Sequence, residues 1–187
     1  MTAYDLPTSL FIGEVEYQIR YNWRAVLDIL SACADPELDE QGKALCLLQI
    51  FYPDWETIPV ERLKEACQKA SEFIDCGQID DGKPKPKMID WEQDAPIIIP
   101  EINKVAGKEV RLEPGVHWWT FFGWFMGIGE GQLATLVSIR NKINRGKKLE
   151  KWEQEYYREN KSRVDFQKRY SAEELAEQER LKRLLGE

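Results

Sequence analysis

A single histidine, His117, restricts the chemistry that this sequence can perform. No serine or cysteine near it has the setting of an activated nucleophile, and no second histidine exists to complete a zinc or iron site. General acid–base catalysis relies most often on histidine, so this scarcity disfavours that class too. We therefore predict no catalytic residue, and a partly buried His117 whose ring nitrogens are paired within the chain.

Metal and cofactor sites are disfavoured by the spacing of the other candidate ligands. The sequence has four cysteines, Cys33, Cys46, Cys67 and Cys76, but no Cys-x-x-Cys pair. Because Cys33, Cys46 and Cys67 lie on apolar faces of predicted helices, we expect reduced thiols in the core. Asp90, Glu92, Asp94 and Glu101 match four positions of a calcium loop, but Ala95 replaces its turn glycine and bulky apolar residues follow. We expect these carboxylates to mark the start of a helix, with no metal and no cofactor bound.

The glycine-rich stretch at residues 127–131 superficially resembles a phosphate-binding loop. A dinucleotide fingerprint needs a preceding strand and a third glycine at a fixed step. An aromatic helix precedes it instead, and Leu133 stands near the place of the last glycine. The sequence therefore predicts a turn between two helices.

Charge is unevenly distributed along the chain. The net charge is −7, yet residues 140–170 are strongly basic and interleaved with aromatic side chains, an asymmetry typical of binding arms. Three interpretations stay open: a solvated helix, a protein-binding surface, or a single-stranded nucleic-acid site, the last disfavoured by the acidic chain. As partner-binding residues we predict Arg140, Lys147, Lys148, Trp152, Tyr156 and Tyr157.

The stretch from His117 to Met126 is the most aromatic part of the chain. At helical spacing its apolar residues cover one whole face and parts of the others, and such a helix is buried on most sides or meets a partner. Gly123 would permit close approach of another backbone. The face predicted to lie in the core comprises Trp118, Phe121, Phe122 and Phe125.

The elements that must position these residues are mostly helices. Alternating residues on both sides of Gly13-Glu14 predict a hairpin. Asn22 can cap the first of several helices, Gly107 can end the fourth, and a fifth is predicted from Pro114 through Met126. The fold class is mainly α: a multi-helix domain with a short N-terminal β-hairpin and a C-terminal helical arm. We divide the chain into residues 1–76, a Lys/Pro linker at 77–89, residues 90–145 that share a core with 1–76, and a basic arm with a terminal helix at 146–187.

The sequence also indicates the cellular compartment in which the protein is expected. Its first residues lack the basic start and apolar stretch of a signal peptide. The longest apolar run, residues 116–128, is shorter than the ~20 residues that span a bilayer. We therefore expect a soluble cytoplasmic protein.

Several of these residues together resemble a family of tailed bacteriophages and Gram-positive prophages, catalogued as "gp fifteen". The N-terminal similarity lies in Leu6-Pro7, Gly13, Tyr17-Gln18-Ile19, Asn22-Trp23-Arg24, Ile58-Pro59 and Phe73. The more specific similarity comprises Asp90, Asp94, the His-Trp-Trp-x-Phe hallmark with His117, Trp118, Trp119 and Phe121, then Ile139-Arg140 and Lys147-Lys148. Residues 106–109 and the glycine-rich loop depart from the family pattern.

The resemblance implies a role in tail assembly. Genes of this family lie among the tail genes, near that of the tape-measure protein, which is the usual place of tail assembly chaperones. The expected partners are the tape-measure protein and the tail-tube protein, in the cytoplasm of the bacterial host, without membrane or nucleic acid. A structural tail or adaptor protein of the virion is the alternative, and self-association is left open.

Overall fold

The computed structural model describes residues 4–78 and 86–185, most of them in helices. The described elements are β1 (Ser9–Ile12), β2 (Val15–Gln18), α1 (Trp23–Cys33), α2 (Glu40–Phe51), α3 (Leu63–Ile74), α4 (Ala95–Ala106), α5 (Trp118–Met126), α6 (Gln132–Asn144), α7 (Lys151–Glu159), α8 (Lys161–Val164) and α9 (Ala172–Leu185). The predicted fold class, mainly α with an N-terminal hairpin and a C-terminal helix, is confirmed. Residues 79–85 of the predicted linker lie outside the described residues.

The hairpin has the predicted turn. β1 and β2 pair antiparallel with Ile12 opposite Val15, and Gly13 between them adopts a φ of 59°, which glycine tolerates better than other residues. Leu10 and Ile12 are buried. The side of β1 that carries these two residues therefore packs against the helices that follow.

Local capping signals set several helix ends where the sequence places them. The side chain of Asn22 accepts a hydrogen bond from Ala25 N and begins α1, and Gly107 ends α4 in the left-handed region, with a φ of 68°. α5 is the exception, because the predicted start at Pro114 is too early. His117 caps this helix instead, since the residues before it pair with the start of α1.

Two groups of buried apolar side chains hold the elements together. The larger draws on the hairpin and α1 to α5, and also includes Leu133 at the start of α6. The smaller comprises Leu136, Ile139 and Val164, with Ile97 of α4 packed against both. The predicted segment boundaries stay a prediction. Within residues 4–78 and 86–185, no helix has the length and apolar character needed to cross a bilayer.

Candidate functional site

The N-terminal ends of α1 and α5 are joined by a short backbone bridge. Asn22 and His117 form an isolated antiparallel β-bridge, in which Trp23 N donates to Val116 O at 3.2 Å and Trp118 N donates to Tyr21 O at 2.7 Å. Both bridge residues are also the caps of their helices. One local arrangement therefore begins two helices that lie far apart in the sequence.

Both ring nitrogens of His117 are paired, as predicted. Nδ1 accepts a hydrogen bond from Trp119 N at 3.0 Å, and Nε2 lies 2.9 Å from the carbonyl oxygen of Pro7. Since that carbonyl can only accept, Nε2 carries the proton and the ring is neutral. Burial lowers the pKa of His117, against the opposing effect of the Pro7 bond.

The two tryptophans that follow satisfy the C-terminal end of α3. Trp118 Nε1 donates to Ile74 O at 2.7 Å, and Trp119 Nε1 donates to Phe73 O at 2.8 Å. The last carbonyl groups of a helix have no partner within it. We call His117, Trp118 and Trp119, with the carbonyl groups they bond, the aromatic junction.

The aromatic residues of α5 lie partly in the core and partly at its edge. Trp118 and Phe121 are fully buried, and Phe121 stacks on Trp23 with ring centroids 4.5 Å apart. Phe122 and Phe125 are partly buried against the same core. Met126 at the C-terminal end has 63% of its surface exposed, so burial decreases along the helix.

A buried ion pair joins the start of α4 to α6. Arg140 holds Asp94 in bidentate geometry, with NH1···Oδ2 at 2.6 Å and NH2···Oδ1 at 2.9 Å. The same guanidinium donates to the carbonyl oxygens of Met88, Arg163 and Val164 at 2.7–3.0 Å. Its five N–H groups therefore all have acceptors, which offsets part of the cost of burying a guanidinium in the interior.

Asp90 stabilises the turn before α4. Its Oδ1 accepts hydrogen bonds from the backbone N–H groups of Glu92 and Gln93 at 3.0 and 2.9 Å, and its Oδ2 lies 2.7 Å from Lys87 Nζ. Burial opposes ionisation, but these bonds outweigh it and hold the pKa of Asp90 at about 2. Asp90 and Asp94 are thus paired with cations of the chain.

Arg140 is buried, whereas its predicted role as a partner-binding residue requires an exposed side chain. Its side chain is only 2% exposed, and Phe166 covers the guanidinium at 4.1 Å from the ring centroid. The sequence pattern groups Arg140 with exposed basic residues, but the pairing with Asp94 draws it inside. Arg140 therefore has no free donor to offer a partner.

The other five predicted partner residues fall into two groups. Lys147 and Lys148 are exposed, and Trp152 has 53% of its surface exposed. Tyr156 and Tyr157 are half-buried against the smaller core of α6 and α8, and Tyr157 donates to the Asp165 carboxylate at 2.9 Å. Part of the predicted basic arm therefore packs back on α6.

Sequence reasoning missed a buried carboxylate at the start of α7. Glu153 is 1% exposed and binds Lys142 Nζ at 2.7 and 2.8 Å. It also forms a capping box with Glu150. The hydrogen bond from Lys142 lowers the pKa of Glu153. The signal in the sequence is the pair of glutamates three residues apart, Glu150 and Glu153, which is the spacing of a capping box.

Residues 145–152, which we call the cationic segment, expose unpaired positive charge beside an aromatic ring. Four cations have no carboxylate oxygen within 4.0 Å among the described residues: Arg145, Lys147, Lys148 and Lys151. Glu150 binds Trp152 Nε1 at 3.3 Å and lies 3.7 Å from Lys142 Nζ. These contacts hold the tryptophan near the end of α6.

The glycine-rich loop joins α5 to α6 as predicted, and its surroundings disfavour a phosphate. A Cβ on Gly131 would lie 3.0 Å from Glu101 Oε1. Glu101 is buried and pairs with Lys104 at 2.9 Å. A carboxylate therefore occupies the side of the loop where a phosphate would need positive charge or free N–H groups.

No cluster of three or more histidine, cysteine or acidic side chains suited to a metal occurs in the described parts of the chain. A cleft of about 290 Å³ lies between α1 and the turn before α4. Trp91 and Leu27 line it, and Arg169 closes one side with a 2.9 Å contact to Glu92. No cysteine or histidine lines this cleft, and its one hydroxyl, on Ser31, donates to the Glu92 carboxylate.

Comparison with known proteins gives one family. A family model described as Bacteriophage Gp15 protein matches residues 4–166, which include the aromatic junction, the Asp94–Arg140 pair and the cationic segment. No curated protein and no solved structure matches the chain. The matched region ends before α9.

Proposed function

Because the chain belongs to the bacteriophage Gp15 protein family, we propose that it is a tail assembly chaperone that binds the tape-measure protein in the cytoplasm of the bacterial host. The family indicates a structural or assembly protein of a phage. A chaperone of this kind must cover long amphipathic helices reversibly. It therefore needs an apolar anchor with a charged rim.

The cationic segment is the observation that supports this proposal. Four exposed cations that have no carboxylate partner among the described residues lie within seven positions, and Trp152 beside them is 53% exposed. Tryptophan is enriched among the residues that dominate binding energies. Charge around such an anchor increases the association rate and selects a partner of opposite sign. The fitting partner is an amphipathic helix with acidic residues beside its apolar face.

The underlying structure makes this surface suitable for recognition. Glu153 and Lys142 form a buried ion pair below the segment, so the start of α7 is anchored to α6. A surface held in place before binding loses less conformational entropy when the partner docks. Because the side-chain nitrogens of the aromatic junction are bonded within the chain, we place recognition at the cationic segment instead.

Co-expression with the tape-measure protein of the same phage tests the proposal. We expect the full-length chain to retain that protein in a pull-down, and the variants Lys147→Glu with Lys148→Glu, and Trp152→Ala, to lose it without a change in melting temperature. Matched controls are Lys64→Glu, an exposed cation of α3, and Phe11→Ala, an exposed aromatic residue of β1. Retention of the tape-measure protein by both surface variants would show that the binding surface lies elsewhere.

Two other outcomes would replace the chaperone function. Stoichiometric presence of the chain in purified virions would establish a structural tail or adaptor protein. Retention of an oligonucleotide at physiological salt, with affinity that falls steeply as salt rises, would establish a nucleic-acid surface, because counterion release dominates such binding.

A further inference from the structure

The cleft between α1 and the turn before α4 has an apolar floor and a volume of about 290 Å³. Leu27, Leu30 and Ala34 recur at helical spacing and line it from α1. Ile89 and Trp91 line it from the segment before α4. The two leucines, Ile89 and Trp91 are only partly buried against the larger core, so part of their apolar surface borders the open cleft.

The charged groups that line the cleft are paired, with one exception. Arg169 lies 2.9 Å from Glu92 and 3.7 Å from Asp90. Lys87 lies 2.7 Å from Asp90. Asp28 also lines the cleft and is exposed, and it has no hydrogen bond or ion pair with any described residue. Three carboxylates and two cations line the cleft, so its net charge is −1.

An apolar floor beside an unpaired carboxylate fits the side chain of a lysine or an arginine. The aliphatic stem of such a side chain packs on apolar surface while its charged end reaches a polar rim. The stem would lie along Leu27 and Leu30, and the cation would pair with Asp28. An acidic side chain would meet Asp28 with like charge, and a neutral one would leave that carboxylate without a partner.

The cleft adjoins the cationic segment. Asn144, the last residue of α6, donates from Nδ2 to the backbone oxygen of Lys87 at 3.2 Å. Lys87 lines the cleft, and Arg145, the first residue of the cationic segment, follows Asn144 directly. A helix of about 20 residues spans about 30 Å. One helix of this size is therefore long enough to contact both surfaces.

We propose that the cleft binds a lysine or arginine side chain of the helix whose acidic residues bind the cationic segment. The proposal rests on the proposed function, because it assigns a second contact to the same tape-measure partner. The two contacts have opposite sign: the cationic segment attracts carboxylates, and the cleft with Asp28 attracts a cation. Such an arrangement fixes the register and the direction in which the partner helix lies.

Photo-cross-linking in cells that co-express the tape-measure protein of the same phage separates this proposal from the proposed function. Benzoylphenylalanine replaces Ala34 in the cleft or Lys148 in the cationic segment, and exposed Lys64 of α3 is the control position. We expect tape-measure adducts from the first two positions and none from the control. Adducts from Lys148 alone overturn the cleft proposal and leave the function intact, whereas adducts from neither position overturn both. Adducts from Ala34 alone also overturn it, because the proposal joins both contacts on one partner.

A charge reversal tests the chemistry of the occupant. The tape-measure segment mapped from the Ala34 adduct is synthesised with a fluorescent label and titrated with the full-length chain by anisotropy. Asp28→Lys should weaken binding about fivefold, because a repulsion replaces the attraction of an ion pair. The control Glu61→Lys makes the same change of net charge at another exposed carboxylate and should not weaken binding.

The sign of the effect is decisive. If the cleft received an acidic or neutral side chain, the added positive charge of Asp28→Lys would strengthen binding or leave it unchanged, and either result overturns the proposal. Reversal of the basic residue of the segment to glutamate should weaken binding to the unmodified chain and restore binding to Asp28→Lys. A segment whose basic residues can all be replaced without loss of affinity overturns the proposal as well.

Discussion

The aromatic junction and the cationic segment differ in where their polar groups find partners. In the junction the side-chain nitrogens of His117, Trp118 and Trp119 all bond within the chain, at 2.7–3.0 Å. In the cationic segment four charged side chains have no carboxylate partner among the described residues. The side chains of the junction therefore contribute to the fold of this chain, whereas the charges of the cationic segment make no such contact with the described residues.

The Asp94–Arg140 pair extends this comparison to a single residue type. Arg140 and Lys148 both belong to the basic part of the sequence, but Arg140 is 2% exposed and bonded at every N–H, whereas Lys148 is exposed. The role of a basic residue therefore cannot be inferred from its position in the sequence until its contacts are known. Substitutions that compare the two regions should separate stability from binding.

The largest expected effect is the loss of a fully buried aromatic side chain of α5 from the core. Trp118→Ala or Phe121→Ala should lower the free energy of unfolding by ~3–5 kcal/mol, because each removes a fully buried aromatic side chain. Thermal unfolding followed by circular dichroism measures the change. Melting temperatures that move by less than about two degrees in both variants would contradict burial of this face.

Arg140→Ala should have the next largest effect on unfolding. It leaves the Asp94 carboxylate buried without its cation, and the loss of one partner of a buried pair costs ~3–5 kcal/mol. Lys148→Ala is the control from the cationic segment, and should change stability by less than ~0.5 kcal/mol. Urea denaturation of the two variants under the same conditions measures the difference. Equal stability of both would show that the Asp94–Arg140 pair does not hold α6 to α4.

A smaller effect isolates the hydrogen bonds of the junction. Trp118→Phe and Trp23→Phe both remove an indole from the same core, but Trp118 Nε1 donates to Ile74 O, whereas Trp23 Nε1 is buried without a partner among the described residues. We expect Trp118→Phe to cost ~1 kcal/mol more, the usual net contribution of a hydrogen bond. Denaturation midpoints give the comparison, and a larger loss for Trp23→Phe would contradict it.

The smallest expected effect is a dependence of stability on pH near neutrality. Because burial lowers the pKa of His117 in the folded state, the unfolded chain binds the proton more readily. Stability is then complete above the unfolded pKa of ~6.5 and decreases as pH falls below it. His117→Asn keeps a capping side chain and should remove this dependence, as thermal melts at a series of pH values will show. A second decrease toward pH 2 is expected from Asp90.

Local signals in the sequence were sufficient for most of the fold. The Gly13 turn and the Asn22 and Gly107 caps are each read within a few residues, and each lies where the sequence places it. The start of α5 could not be read in this way. Pro114 is a good first helical residue. The backbone bridge between Asn22 and His117, however, keeps the chain extended as far as His117, so α5 begins only after it.

The candidate site was only partly predictable, because its contacts join distant positions. Asp94 and Arg140 are 46 positions apart, and no periodicity or charge count connects them. The resemblance to the family singled out both residues but did not imply their contact. The paired ring of His117 was predictable for a different reason, since a buried polar side chain must find partners wherever they lie in the sequence.

The contacts of the aromatic junction also constrain the order of folding during synthesis. His117 bonds Pro7, 110 positions earlier, and the indoles of Trp118 and Trp119 complete the end of α3. The hairpin and the first three helices therefore leave the ribosome before the residues that finish their core exist. Long-range contacts of this kind slow folding and leave apolar surface exposed while it proceeds. Until residues 117–119 have been synthesised, the N-terminal half therefore exposes apolar surface that the folded chain buries.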